Sequence, residues 1–232
     1  MHCIGLVGGV SWVSTMEYYR RLNCRINQKK GKNHSAKILM YSFDFEEILE
    51  FQKNKNEIME LKVLEEKVRL LDKAGSDVIA ICSNTTNKLA DQLDSTLHEK
   101  LINLIDVTGD YLLKNNAVRV GLLGTRYTME LDFYKNKLNE KGVYVVVPDK
   151  KDREQLHHII YEELCKGQKN AYSKKSLLNI INKMVSLNEL DGIILGCTEL
   201  PLLVSQLDVM IPLFDTIDIH IDAILKRITQ IN

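Results

Sequence analysis

Two nine-residue stretches of this chain are copies of each other in outline: Asp77-Val-Ile-Ala-Ile-Cys-Ser-Asn-Thr85 and Asp191-Gly-Ile-Ile-Leu-Gly-Cys-Thr-Glu199. Each opens on an aspartate, runs through apolar residues and breaks into small polar ones. Aligning the aspartates sets Ser83 opposite Cys197. A short, continuously apolar run that stops at polar residues reads as a parallel strand buried on both faces, and the carboxyl end of such a strand is where α/β folds bind ligands. A second pair of stretches, Cys3-Ile-Gly-Leu-Val-Gly-Gly9 and Val118-Arg-Val-Gly-Leu-Leu-Gly-Thr125, repeats in the same way. The chain is therefore expected to fold as two similar lobes, each a parallel sheet flanked by helices, related by a pseudo-twofold with the active site in the cleft between them.

The coarse pattern supports that class. Strands are expected at residues 2–7, 36–43, 77–82 and 101–105 in the first half, and at 118–125, 143–147, 191–195 and 209–213 in the second. Helices are expected from Ser14 or Thr15 to about Lys29, over 56–73, from about Thr86, and over 128–141, 152–165, 172–187 and 215–230. Met16, Tyr19, Leu22 and Ile26 recur at helical spacing along the first helix. Alternating strands and helices imply parallel sheets. The closing helix can return to the first lobe, which divides the chain into 1–97 plus 209–232 and 98–208.

Composition narrows the function. Thirty-one basic residues balance 31 acidic ones, so the net charge points to neither nucleic acid nor a membrane surface. No apolar run approaches the roughly 20 residues a spanning helix needs. The start of the chain reads as a first strand, not a signal peptide. Five scattered cysteines without a CxxC pair suit free thiols in the cytoplasm.

The candidate chemistry is correspondingly small. The Gly5, Gly8 and Gly9 loop spells neither a dinucleotide fingerprint nor a phosphate loop, although its N–H groups and Ser11 could hold a carboxylate. The six histidines share no ligand spacing with cysteine or carboxylate, which argues against a metal, and His157-His158 reads as an exposed helical pair. Cys197 is the foremost candidate. A loop between strand and helix is expected to lower its pKa and let it exchange protons near neutral pH. Ser83 ionises poorly without help and suits a relay or an acid toward a carbanion. Asn84, Thr85 and Thr198 supply donors suited to a carboxylate.

These residues carry a resemblance. Ile4-Gly-Leu-Val-Gly-Gly-Val-Ser-Trp-Val-Ser-Thr15 with Tyr18-Tyr19, His34-Ser-Ala36, Cys82-Ser-Asn-Thr85, Leu123-Gly-Thr-Arg-Tyr-Thr-Met129 and Gly196-Cys-Thr-Glu199 together resemble the aspartate/glutamate racemase family. The chain is most similar to its bacterial L-aspartate/glutamate-specific and broad-specificity branch. Where the family usually has Cys-Asn-Thr, and this branch commonly Thr-Asn-Thr, the chain has Ser83-Asn84-Thr85. The resemblance implies racemisation without a cofactor, one group removing the α-proton and another returning it on the opposite face. It assigns Cys197 and Ser83 as the proton carriers. Asn84, Thr85, Thr125 and Thr198 would bind the α-carboxylate and amino group, and Ser11 and Gln52 would line the pocket. Glu199 stands where some relatives carry His, either orienting the cysteine or meeting the substrate ammonium. A homodimer acting on a small amino acid is implied. Two alternatives stay open: an isomerase or decarboxylase of a small dicarboxylic acid, and an amino-acid-binding protein without turnover.

Overall fold

The computed structural model describes residues 2–230, which form two compact units. One runs to Leu104 and resumes at His220; the other is Ile105–Ile219. Among the described residues no helix is long and apolar enough to cross a membrane.

In the first unit the order is β1 (Cys3–Gly8), α1 (Trp12–Lys30), β2 (Lys37–Ser42), α2 (Phe45–Lys53), α3 (Glu57–Lys73), β3 (Val78–Ile81), a 3-10 turn over Thr86–Gln92, α4 (Ser95–His98) and β4 (Leu101–Ile102). The second holds α5 (Leu104–Lys114), β5 (Arg119–Leu123), α6 (Arg126–Glu130), α7 (Asp132–Glu140), β6 (Tyr144–Val146), α8 (Lys150–His158), α9 (Ala171–Leu187), β7 (Gly192–Leu195), β8 (Leu213–Asp215) and the start of α10 (Thr216–Gln230). Both sheets are parallel and share one topology, β2-β1-β3-β4 and β6-β5-β7-β8.

The repeated aspartates explain why the two copies fold alike. Asp77 Oδ2 accepts from the Cys3 amide at 2.6 Å, and Asp191 Oδ2 accepts from the Val118 and Arg119 amides at 2.9 and 2.7 Å. Each carboxylate pins the start of a central strand to its neighbour, and the Cys3 amide lowers the Asp77 pKa. Beyond the far ends, the Cys82 amide donates to Val7 O and the Gly196 amide to Leu123 O, at 2.9 and 2.7 Å. Every residue of β3 and of β7 is buried. Burying an aliphatic side chain contributes about 1.5–3 kcal/mol. Ile79 and Ile81 pack with Leu64, Val68 and Leu71 of α3, and Ile193 and Leu195 with Leu177, Ile181 and Met184 of α9.

Several expectations shift. The division falls at 104/105 and 219/220 rather than 97/98 and 208/209, because β4 pairs with β3 and β8 with β7. Met1 and 231–232, the outermost residues of the expected division, lie outside the described residues. The strand expected at 209–213 begins only at Leu213. Gln206 Nε2 donates to the Val209 and Ile211 carbonyls and its Oε1 accepts from the Leu213 amide, so one side chain occupies backbone groups a strand would pair. The strand expected at 101–105 stops at Ile102, since the Leu104 amide donates to Asn87 Oδ1 and opens α5. The helix expected over 128–141 is two, broken at Leu131. Ser14 and Thr15 lie inside α1, whose N-cap is Ser11; Thr15, Tyr18, Leu22 and Ile26 form its buried face, while Met16 and Tyr19 are exposed.

Candidate active site

Each central strand delivers its polar group two residues past its last residue: Ser83 after Ile81, and Cys197 after Leu195. Both are buried, each at 6% exposure. Ser11, Gln52, Ser83, Asn84 and Thr85 belong to the first unit, and Thr125, Cys197, Thr198 and Glu199 to the second; all nine are buried.

In the first unit, Ser83 Oγ accepts from the Thr86 amide at 3.3 Å and from Thr86 Oγ1 at 3.1 Å. Both bonds place hydrogen on the serine oxygen, which leaves its own hydroxyl proton to be donated and would stabilise negative charge developing there. Asn87 fixes the turn: its Nδ2 donates to the Ile81 and Ser83 carbonyls at 3.0 and 2.6 Å. Preceding it, Thr15 Oγ1 accepts from the Gly9 amide at 2.8 Å and donates to Ser11 O at 2.9 Å, closing the first glycine loop. Gly9 has φ +92°, and a Cβ there would lie 2.2 Å from the Phe43 carbonyl oxygen, so the loop requires glycine at this position. Gln52 directs its amide nitrogen to Glu60 Oε1 at 3.0 Å, while Lys88 Nζ stands 3.0 Å from the other oxygen. A buried carboxylate thus sets the orientation of the Gln52 amide.

In the second unit a carboxylate faces the reactive atom together with one backbone donor, the Glu199 amide. Cys197 Sγ donates to Glu199 Oε2 at 3.0 Å, Thr198 Oγ1 donates to the same oxygen at 2.9 Å, and Cys165 Sγ donates to Oε1 at 3.8 Å. Burial, followed by the Glu199 carboxylate, raises the Cys197 pKa well above that of an ordinary thiol. This corrects the expectation of a lowered pKa. The turn after Cys197 is a 3-10 segment of three residues, Leu200–Leu202, and supplies no long helix to stabilise a thiolate. Thr125 caps α6 through its side chain, accepting from the Thr128 amide at 3.2 Å.

Sequence reasoning missed Thr86, Asn87 and Cys165. The first two sit three and four residues beyond Ser83, a spacing at which a turn folds back on itself, so they are readable. Cys165 is not. The helix expected over 152–165 breaks after α8 into a π-helical stretch, Ile159–Glu163, and a 3-10 turn, Leu164–Lys166, ended by Gly167 at φ 75°. That change of pitch accompanies the Cys165 contact with Glu199; π-helical insertions are frequent at functional sites. His157 is not an exposed residue. It is half-buried, its ring 4.5 Å from that of Tyr161 and 6.2 Å from that of Tyr127, and its Nδ1 accepts from the Arg126 amide at 3.3 Å. Burial, then Arg126, lowers its pKa. Among the described residues no group of three or more His, Cys, Asp or Glu is arranged to hold a metal ion.

Known proteins match this architecture over nearly its whole length. The family model described as Asp/Glu/hydantoin racemase matches residues 7–224. A candidate Asp/Glu racemase from Yersinia pestis is 40% identical, with a TM-score of 0.89 over 99% of this chain and 100% of that one. An aspartate racemase homologue from Pyrococcus horikoshii OT3 is 33% identical, with a TM-score of 0.83 over 99% and 100% of the two chains. A glutamate racemase from Hydrogenobaculum sp. (strain Y04AAS1) is 25% identical over 175 residues, which are 72% of this chain and 62% of that enzyme.

Proposed function

Since the chain belongs to the Asp/Glu/hydantoin racemase family, we propose that it interconverts the L- and D-forms of aspartate, glutamate or a related amino acid by cofactor-independent proton transfer at the α-carbon. The observation that carries this reading is the pair of equivalent strand ends. Each unit presents, two residues beyond its central strand, one buried side chain able to hold or give a proton, Ser83 and Cys197. Racemisation needs two such groups, one for each face of a planar carbanion.

In this reading Cys197 removes the α-proton of one enantiomer and Ser83 returns a proton to the other face. The reverse reaction exchanges the roles. Negative charge moves from the α-carbon into the carboxylate, where amide and hydroxyl donors stabilise it. Asn84, Thr85, Thr125 and Thr198 are the proposed donors. Ser11 and Gln52 line the rest of the pocket, and a homodimer in the cytoplasm is the proposed working form.

The test is a panel of L- and D-amino acids in deuterium oxide, followed by mass and chiral analysis. Deuterium should enter the α-position of aspartate or glutamate, with the opposite enantiomer accumulating. Chelator and hydroxylamine should leave the rate unchanged. Binding without exchange would reject the enzyme reading, and turnover confined to a small dicarboxylic acid such as maleate would reject the amino-acid substrate.

A further inference from the structure

Gln52 lies near the end of α2, and its side chain is tied to the turn that carries Ser83. Its Nε2 donates to Glu60 Oε1 at 3.0 Å, and the Lys88 ammonium stands 3.0 Å from Glu60 Oε2. Lys88 belongs to that turn, its backbone amide donating to the Thr85 carbonyl at 3.2 Å. Glu60 is 1% exposed and Gln52 8%. Burial opposes the Lys88 charge, but Glu60 and then Glu57, whose Oε2 is 3.1 Å away, outweigh it and raise the Lys88 pKa. Lys88 is thus the counter-ion of the Glu60 carboxylate. A carboxylate accepts hydrogen bonds and cannot give one, so it takes the amide nitrogen of Gln52 and rejects the oxygen. Turning the amide over would set acceptor against acceptor in a buried place and leave the N–H without its partner. The nitrogen is therefore committed to Glu60.

The other end of the amide is unengaged. Among the described residues no group donates to Gln52 Oε1, and that oxygen is not sealed from solvent. An acceptor held in this way complements an N–H or O–H of a ligand and repels a carboxylate. The neighbouring charges act in the same sense, since Lys88 is shared between Glu57 and Glu60, one ammonium against two carboxylates.

We propose that Gln52 Oε1 is a fixed acceptor for the substrate side chain, that Glu60 is the positioning residue that fixes it, and that the preferred substrates are amino acids whose side chain ends in a neutral N–H or O–H donor, carboxamides first. Aspartate and glutamate are weaker ligands of the same site. The inference rests on the racemase reading for the place of Gln52 in the pocket, and deepens it by naming the substrate class. Glutamine and glutamate share one shape and differ in whether the terminal group donates, as do asparagine and aspartate, so each pair isolates this contact.

The experiment is isothermal titration calorimetry of the full chain with L-glutamine, L-glutamate, L-asparagine, L-aspartate and L-alanine near neutral pH. In at least one pair the carboxamide should bind about tenfold tighter than the acid, which forfeits a hydrogen bond and meets like charge. Glu60→Gln keeps the shape and lets the Gln52 amide present either end, so that ratio should fall below about threefold. Gln52→Met is close in size and lacks the acceptor, and should bring the ratio to about one. Alanine carries neither terminal group, and its affinity should be unchanged in both variants. A wild type that binds the acids as tightly as the carboxamides, or binds none of the five, would overturn the fixed acceptor. A ratio retained in Glu60→Gln, or a loss of alanine binding along with the ratio, would overturn the positioning role of Glu60. A ratio retained in Gln52→Met would take the acceptor away from Gln52. A carboxamide preference lost in Glu60→Gln, together with no α-proton exchange from any amino acid, would support the fixed acceptor while removing the racemase reading. Exchange confined to acids that also bind the tighter would do the reverse.

Discussion

The two strand ends are built by the same backbone and dressed with opposite chemistry. Ser83 and Cys197 follow strands of equal length, in sheets of identical order, each pinned by an aspartate at its start. Yet Ser83 is met by two donors from Thr86, and Cys197 by the Glu199 carboxylate beside that residue's backbone amide. A donor pair favours negative charge on the serine oxygen, whereas a carboxylate opposes it on the sulfur and raises the thiol pKa. The shared scaffold fixes where each group stands, and a side chain two or three residues beyond it sets that group's electrostatic surroundings.

The severest way to break the comparison is to delete the thiol. Cys197→Ala should lower α-proton exchange by about a thousandfold, within the range attributed to a positioned acid or base. The variant should fold, since the side chain is small and its loss leaves little cavity. Deuterium incorporation and circular dichroism of the same sample check both statements. Exchange near the wild-type rate in a folded variant would remove Cys197 from the mechanism.

A second difference lies away from the reacting groups and concerns acid stability. In the first unit His220 is fully buried. Its Nε2 donates to the Ile102 carbonyl at 2.9 Å, so its Nδ1 accepts from the Tyr18 hydroxyl at 2.8 Å. Burial pushes its pKa down to about 4, against the opposing pull of the Ile102 bond. Folded His220 thus stays neutral where the unfolded imidazole, near 6.5, already binds a proton. Its contribution is intact above pH about 6.5 and is lost progressively as the pH falls toward about 4, up to roughly 3 kcal/mol. Chemical denaturation at several pH values should show this loss, and His220→Gln should flatten it. An equal slope in wild type and variant would show that other groups govern the acid limb.

The sequence displays the scaffold better than it displays the site. The two sheets are legible because β3 and β7 are buried on both faces and so read as unbroken apolar runs. The amphipathic α2 and α5 escape that reading, although Asp44 caps the first and Ile105, Thr108 and Leu112 carry a helical spacing in the second. The strand expected at 209–213 is misplaced because no pattern announces that Gln206 will take over its backbone groups. At the site, residue identity is visible and environment is not. Glu199 stands two residues from Cys197, but only the fold shows that its carboxylate turns back onto the sulfur and raises, rather than lowers, the thiol pKa.

The finest test of the comparison is directional. Enantiomers of a simple amino acid have equal free energy, so kcat/KM must be the same in both directions. A difference between the two carriers can then appear only in kcat, balanced by KM, or as exchange from one enantiomer that outruns inversion. A thiol still ionises far more readily than a hydroxyl, so abstraction by Cys197 should be the easier, and the two kcat values should differ. Ser83→Cys places a thiol on both faces and should bring the kcat ratio closer to one. Thr86→Val keeps the bulk of the side chain and removes the hydroxyl that donates to Ser83 at 3.1 Å. Loss of one such bond is worth about 1 kcal/mol, or roughly fivefold. It should lower kcat chiefly for the enantiomer whose α-proton Ser83 removes, and widen the ratio. Equal kcat values and equal exchange from both enantiomers of the wild type would show that the unlike neighbours of Ser83 and Cys197 make no kinetic difference.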